Sequence, residues 1–230
     1  MNKLKIHFLS YRDWAEPILQ SVKRHPRVGY VDQSKTINDY LSNGVKHYDI
    51  VMLCGWSNWD FESKLYSFDI KTIINDNLNK TLHVGLHCAE SDLFHTTPLQ
   101  NQIINGVKDS KHRVFKVGLP ELIHREYSHE VDLSLRGNIE DVFKQLTYTG
   151  IVLYDRFLDD YPNIVWKTWP EENNRFQSRT PADSEMKNFK DMTCEQMYDF
   201  IRCLGDPYPN AFVSDETGEL YFEKVRFKKK

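Results

Sequence analysis

Leu82-His83-Val84-Gly85-Leu86-His87-Cys88-Ala89-Glu90-Ser91-Asp92-Leu93-Phe94-His95-Thr96-Thr97-Pro98-Leu99-Gln100-Asn101-Gln102-Ile103-Ile104-Asn105-Gly106 is the stretch on which the fold turns. It reads as a short apolar strand ending at His87, a polar loop, and a helix opening at Thr97. Thr97 is predicted as the N-cap, Pro98 as the first helical residue, and Gln100 at the third position completes a capping box. Leu99, Ile103 and Val107 recur at four-residue spacing as one buried stripe, and Gly106 suits a left-handed stop. In an open α/β sheet, ligands bind in the crevice beyond the carboxyl ends of the strands. His87 therefore stands where such a fold does its chemistry, although a histidine at a strand end also serves simply to hydrogen-bond backbone.

Upstream, Leu4–Leu9 alternates as a first strand, and Asp13 with Glu16 is predicted to box a helix burying Ala15, Ile18, Leu19 and Val22. A strand around Val28 to Val31 and a helix begun by Ser34 follow. Tyr48 to Cys54 is nearly continuous apolar, as a parallel strand covered on both faces requires. Downstream come a strand around Arg113 to Val117, an irregular segment from Gly118 to Glu130, and another strand near Val131 to Leu135. Asn138 caps the longest helix, which stops before Pro162. Residues 162–188 are polar and proline-bearing, and read as a connector on the surface. Thr193 and Gln196 box a last short helix with Met197, Ile201 and Leu204 on its apolar side. Asp215-Glu216-Thr217-Gly218 turns a hairpin. Strands alternating with helices predict an α/β fold: a Rossmann-like, mostly parallel sheet flanked by helices over residues 1–165. A small C-terminal extension (connector, short helix, β-hairpin) fills 166–230.

The chain has 230 residues, enough for one sizeable core. Its net charge of −3 gives no basic footprint, so no nucleic-acid partner is expected. Four scattered cysteines without a CxxC pair read as reduced thiols. No run is long and apolar enough for a bilayer and no signal-peptide pattern is present, so a cytoplasmic protein without a membrane partner is expected. Neither GxGxxG nor GxxxxGK[ST] occurs, so no nucleotide cradle of those kinds is supported. His83, His87 and His95, or His124 and His129, complete no recognised ligand spacing, and no metal is expected. Cys88 beside His87 offers a nucleophile for an unrelated hydrolase, but neighbouring strand residues point to opposite faces.

His87 followed by Ser91-Asp92-Leu93 and Thr97-Pro98-Leu99-Gln100-Asn101 resembles the strand–loop–helix of the folate-dependent formyltransferases. Gly55-Trp56-Ser57-Asn58-Trp59 is similar to a Trp-Ser-Trp loop of the family's small sugar-nucleotide branch. Asp132-Leu133-Ser134-Leu135-Arg136-Gly137 resembles its entry to a long helix. The most specific likeness lies in Arg179–Ser184, Tyr198–Arg202 and Asp206-Pro207-Tyr208-Pro209-Asn210-Ala211-Phe212. Together these cover roughly residues 48 to 227. The resemblance implies the formyltransferase fold and transfer of a formyl group from the co-substrate 10-formyltetrahydrofolate to an amine. It implies a small-molecule partner, an amino-sugar nucleotide, a role in lipopolysaccharide biosynthesis, and a possible homodimer.

By the same resemblance His87 is the catalytic base or oxyanion stabiliser. The family's asparagine and aspartate fall on Gly85 and Ile123, and isoleucine cannot orient an imidazole. Glu126 and Glu121 are the nearby carboxylates that would replace it. Trp56, Ser57, Trp59, Gly85 and Leu86 would meet the pterin, and Thr97, Gln100, Arg179 and Arg202 the acceptor. The two arginines have a second reading, as ties between the C-terminal helix and the core. Two alternatives stand beside amino-sugar formylation: a formyltransferase-fold protein that binds without turnover, and a methionyl-tRNA formyltransferase-like enzyme.

Overall fold

A computed structural model describes residues 3–36, 39–40, 48–55, 81–89, 97–117, 126–169, 177 and 179–230. The strands are β1 (Leu4–Leu9), β2 (Val28–Ser34), β3 (Ile50–Leu53), β4 (Leu82–His87), β5 (Asp109–Lys116), β6 (Glu126–Ser134) and β7 (Lys167–Thr168). They form one sheet in the order β2-β1-β3-β4-β5-β6-β7. The first four are parallel, as the Rossmann-like reading expects, and β5, β6 and β7 extend the sheet antiparallel. The α/β architecture with a small C-terminal helix and hairpin is borne out.

The apolar run at β3 buries successive residues, Ile50, Val51 and Met52, because both faces of the sheet are covered. On one face Ile6, Phe8, Ile50, Met52, Val84 and Val114 pack with helix α1 (Glu16–Arg24) and the second half of the long helix α3 (Ile139–Asp160). The helices approach closely because α3 carries Gly150. A Cβ there would lie 2.5 Å from the Ile18 Cδ1. α3 starts with the predicted Asn138 cap, reciprocated by Asp141. α1 begins differently from the prediction. Asp13 lies in a 3₁₀ turn, no side chain caps the helix, and Pro17 opens its first turn. Ser34 ends β2 rather than beginning a helix.

A second apolar cluster joins the C-terminal segment to the main body. Ile201 and Leu204, at and just past the end of helix α4 (Cys194–Arg202), meet Leu99 and Ile103 of helix α2 (Pro98–Ile104). Leu135, Ile139 and Val142 complete the contact. α4 has the predicted capping box, with Thr193 and Gln196 exchanging bonds of 2.8 and 3.2 Å. Strands β8 (Ala211–Asp215) and β9 (Gly218–Phe222) make the expected hairpin. The segment 162–188 is not wholly superficial. β7 pairs with β6, Trp169 is only 5% exposed, and Met186 is buried. Two paired residues are too short a strand to announce themselves by alternation. Among the described residues no helix is long and apolar enough to cross a membrane.

One buried group makes the stability depend on pH. His112 of β5 packs against α3, where the Thr149 hydroxyl donates to the Gln145 carbonyl and accepts from His112 Nδ1 at 2.7 Å. Burial pushes the imidazole down to about 3. Its folded value lies below its unfolded one near 6.5, so between these values the unfolded chain binds a proton that the native one refuses. The stabilisation is whole above about pH 6.5 and is lost as pH falls, by up to about 1.4 kcal/mol per unit. Urea midpoints of wild type and His112→Asn should converge between pH 6.5 and 4. A difference that stays constant over that range contradicts the assignment.

Candidate active site

His87 ends β4 near the middle of the sheet, buried to 6% exposure. Antiparallel pairing sets His87 opposite Arg113 and Gly85 opposite Phe115, so all four share one face. The His87 ring meets Phe115 edge-on at 6.3 Å and Trp169 at 5.4 Å between centroids. Arg113 lies 4.8 Å over both Trp169 and Tyr127. Its Nε donates to Glu130 at 2.7 Å, and its Nη1 donates to the Ala89 carbonyl at 2.9 Å. Next to the histidine, Gln102 donates to the Cys88 carbonyl at 2.7 Å and accepts from Ser110 at 2.5 Å. The backbone leaving His87 is thus fastened from β5 and from α2. The ring sits among stiff aromatic side chains, which limits its rotation.

Gly85 is required by this packing. A Cβ there would sit 2.5 Å from two atoms of the Phe115 ring, so the ring occupies the space that an asparagine side chain would need. Leu86 turns the other way: its Cδ1 lies 3.1 Å from a Cβ built on Gly150, and it packs into the first core. As a side-chain contact to a pterin it is therefore corrected. Glu126 is corrected too. It pairs with Lys116 at 2.9 Å, and Lys116 follows Phe115 and so points to the opposite face. Lys116 stands opposite Val84, three positions short of His87. Glu121, Trp56, Ser57 and Trp59 lie outside the described residues, as do Ile123 and His124. Cys88 is no nucleophile, because burial raises its thiol to about 12. All four cysteines are free.

Comparisons with known proteins bear on this arrangement. Residues 181–230 match the family model described as the methionyl-tRNA formyltransferase C-terminal domain. No curated protein matches the chain by sequence. Among solved structures, a methionyl-tRNA formyltransferase from Clostridium thermocellum superposes with a TM-score of 0.75 at 22% identity, covering 98% of this chain and 94% of that one. A sugar N-formyltransferase from Shewanella sp FDAARGOS_354 gives 0.67 at 13% identity over 99% of each chain. HypX from Aquifex aeolicus in complex with tetrahydrofolic acid gives 0.68 at 11%, covering 97% of this chain and 38% of that one. The fold is that of the formyltransferases. The resemblance read in the sequence is borne out at that level.

Within the formyltransferase fold the residues assigned to the acceptor fall into two groups. Thr97 does precede α2, but with a left-handed φ of 46° and no capping bond. Its hydroxyl instead accepts from the Arg179 N–H at 2.7 Å. Gln100, the other half of the predicted box, is buried and hydrogen-bonds Tyr208. Local spacing suggested a cap, but Thr97 was taken by Arg179, 82 residues away, and Gln100 by Tyr208, farther still along the chain. Arg179 also bonds the Asp183 carbonyl and lies 5.3 Å over Phe200. Arg202 is 3% exposed and is spent on Asp199 and on the carbonyls of Leu135 and Gly137. It ties α4 to the core, the second of its two readings, and is withdrawn as a ligand contact. Trp169, Phe115 and Arg113 were not singled out in the sequence, though alternation along β5 placed the last two on the face of His87.

Proposed function

We propose that this chain transfers a formyl group from 10-formyltetrahydrofolate to an amine, that of a nucleotide-linked amino sugar. The observation that carries the reading is His87, held rigidly at the carboxyl end of β4 in a formyltransferase fold. In this role His87 accepts the proton that the amine loses as its nitrogen is acylated. A ring already fixed by Phe115 and Trp169 spends little reorganisation in doing so. The folate, when bound, would supply the formyl group by cleavage of its N–C(formyl) bond, and the proton held by His87 would pass to the folate nitrogen so released. Four residues before His87 on the same strand face stands a second buried histidine, His83. His83 Nδ1 donates to the Thr81 carbonyl at 3.0 Å, which leaves Nε2 without a partner. Burial also lowers the His83 imidazole, keeping it neutral.

The match of residues 181–230 to a methionyl-tRNA formyltransferase C-terminal domain favours a second acceptor, the amine of an aminoacylated tRNA. The net charge of −3 opposes it, since tRNA affinity rests on neutralising phosphates. Incubation with labelled 10-formyltetrahydrofolate and either an amino-sugar nucleotide or methionyl-tRNA separates the two by the product labelled. Folate binding without product from either acceptor would support a binder without turnover, the outcome that the departures at Gly85 and Ile123, with Glu126 turned to Lys116, favour.

A further inference from the structure

The strand order places a second group of residues in the same crevice. From β1 the chain passes to β2 on one side, whereas β3 and β4 lie on the other. The order therefore reverses between β1 and β3, and in open α/β sheets the carboxyl ends of the strands at such a reversal are where ligands bind. Arg12 stands just past the end of β1, and Gly55 just past the end of β3. A Cβ on Gly55 would lie 2.7 Å from the Arg12 Cγ and 3.0 Å from Trp14. With a φ of +70°, glycine is the residue that fits this turn and leaves a lane for the arginine stem.

The guanidinium carbon of Arg12 lies 4.4 Å from the Tyr11 ring centroid and 5.7 Å from that of Tyr208. Tyr208 is itself anchored by Gln100 of α2. Arg12 is half-buried, yet its guanidinium has no hydrogen bond or ion pair among the described residues. The other half-buried or buried arginines contrast with it. Arg27, Arg113, Arg179 and Arg202 all donate to protein carbonyls or carboxylates. Asp13, the adjacent carboxylate, is exposed and not paired with Arg12. A planar cation stacked on aromatic rings keeps its donor edges available and matches a carboxylate or a phosphate with two parallel bonds.

We propose that Arg12 is an anion-binding residue of this crevice, taking a carboxylate or phosphate of a ligand whose reacting end reaches His87. The anion site rests on the geometry above. Only its link to His87 rests on the formyl-transfer reading. β1 and β4 are separated by β3, so their backbones are about 10 Å apart. That span suits either the glutamate carboxylates of a folate or the diphosphate of a sugar nucleotide.

Calorimetric titration of the whole chain with 5-formyltetrahydrofolate, thymidine diphosphate and inorganic pyrophosphate tests this. Arg12→Gln should weaken at least one of the three by about 10- to 100-fold, the range of a charge-assisted hydrogen bond. Arg12→Lys, which keeps the charge and loses the fork, should fall between. Loss confined to the two phosphate compounds assigns the site to phosphate, and loss confined to the folate assigns it to carboxylate. Arg12-dependent binding of pyrophosphate alone supports the anion site and defeats the formyl-transfer reading. Affinities within twofold of wild type in both variants, with unchanged melting temperature, overturn the proposal. So does a wild-type protein that binds none of the three compounds.

Discussion

Replacing His87 with asparagine is expected to lower kcat for formyl transfer by about 10²- to 10⁴-fold, the usual worth of a positioned acid–base group. Asparagine fills part of the same space and keeps a polar end, so the strand end stays fastened. Its anchors are the Gln102 bond to Cys88 and the Arg113 bond to Ala89, and neither uses the imidazole. Folate and acceptor affinities should therefore change by less than about tenfold. In the wild type, kcat/KM should rise with pH through the titration of the base, and that limb should vanish in His87→Asn. Trp169→Leu offers a companion measurement. It removes the ring that meets His87 at 5.4 Å and leaves the imidazole in place. Its kcat should fall while the pH limb persists, because the base is present but poorly aimed. A His87→Asn protein that turns over at the wild-type rate would remove this residue from the chemistry.

The sequence revealed what local spacing controls and missed what distant contacts control. The strand ending at His87, the Asn138 cap, the Thr193–Gln196 box and the 215–218 turn are set within a few residues, and all appear as read. Thr97 and Gln100 have equally good box spacing. Their hydrogen bonds go instead to Arg179 and Tyr208, brought near only by the C-terminal fold. Trp169 escaped for a related reason. It lies in a polar connector, and only the two-residue pairing of β7 with β6 delivers its ring to His87. Glu126 shows a different limit. Counting positions brought a carboxylate near the family's aspartate, but strand alternation turned it to the other face beside Lys116. A register offset by one residue reverses such an assignment, and no composition argument detects it.

Asp199→Ala is expected to be the most destabilising single change outside the apolar core, at about 3–5 kcal/mol. Asp199 is buried in α4 and accepts from Lys108 at 2.7 and 2.9 Å and from Arg202 at 2.6 Å. Arg202 in turn donates to the carbonyls of Leu135 and Gly137 at 2.6 and 2.8 Å, between β6 and α3. One carboxylate thus compensates a buried guanidinium that fastens the C-terminal helix to the sheet. Removing it leaves that charge buried without a counterion, which costs more than the pair contributes when intact. In a chain of this size the loss corresponds to a melting temperature lower by roughly 6–20 °C. Asp199→Ala combined with Arg202→Met should recover part of the loss, since an apolar side chain no longer needs the counterion, although two carbonyls lose their donor. If Arg202 held a ligand instead, Arg202→Met would abolish binding in protein that melts normally. Calorimetric unfolding of the three variants separates these cases, and a drop below about 1 kcal/mol in Asp199→Ala would show that the network is not what holds α4 in place.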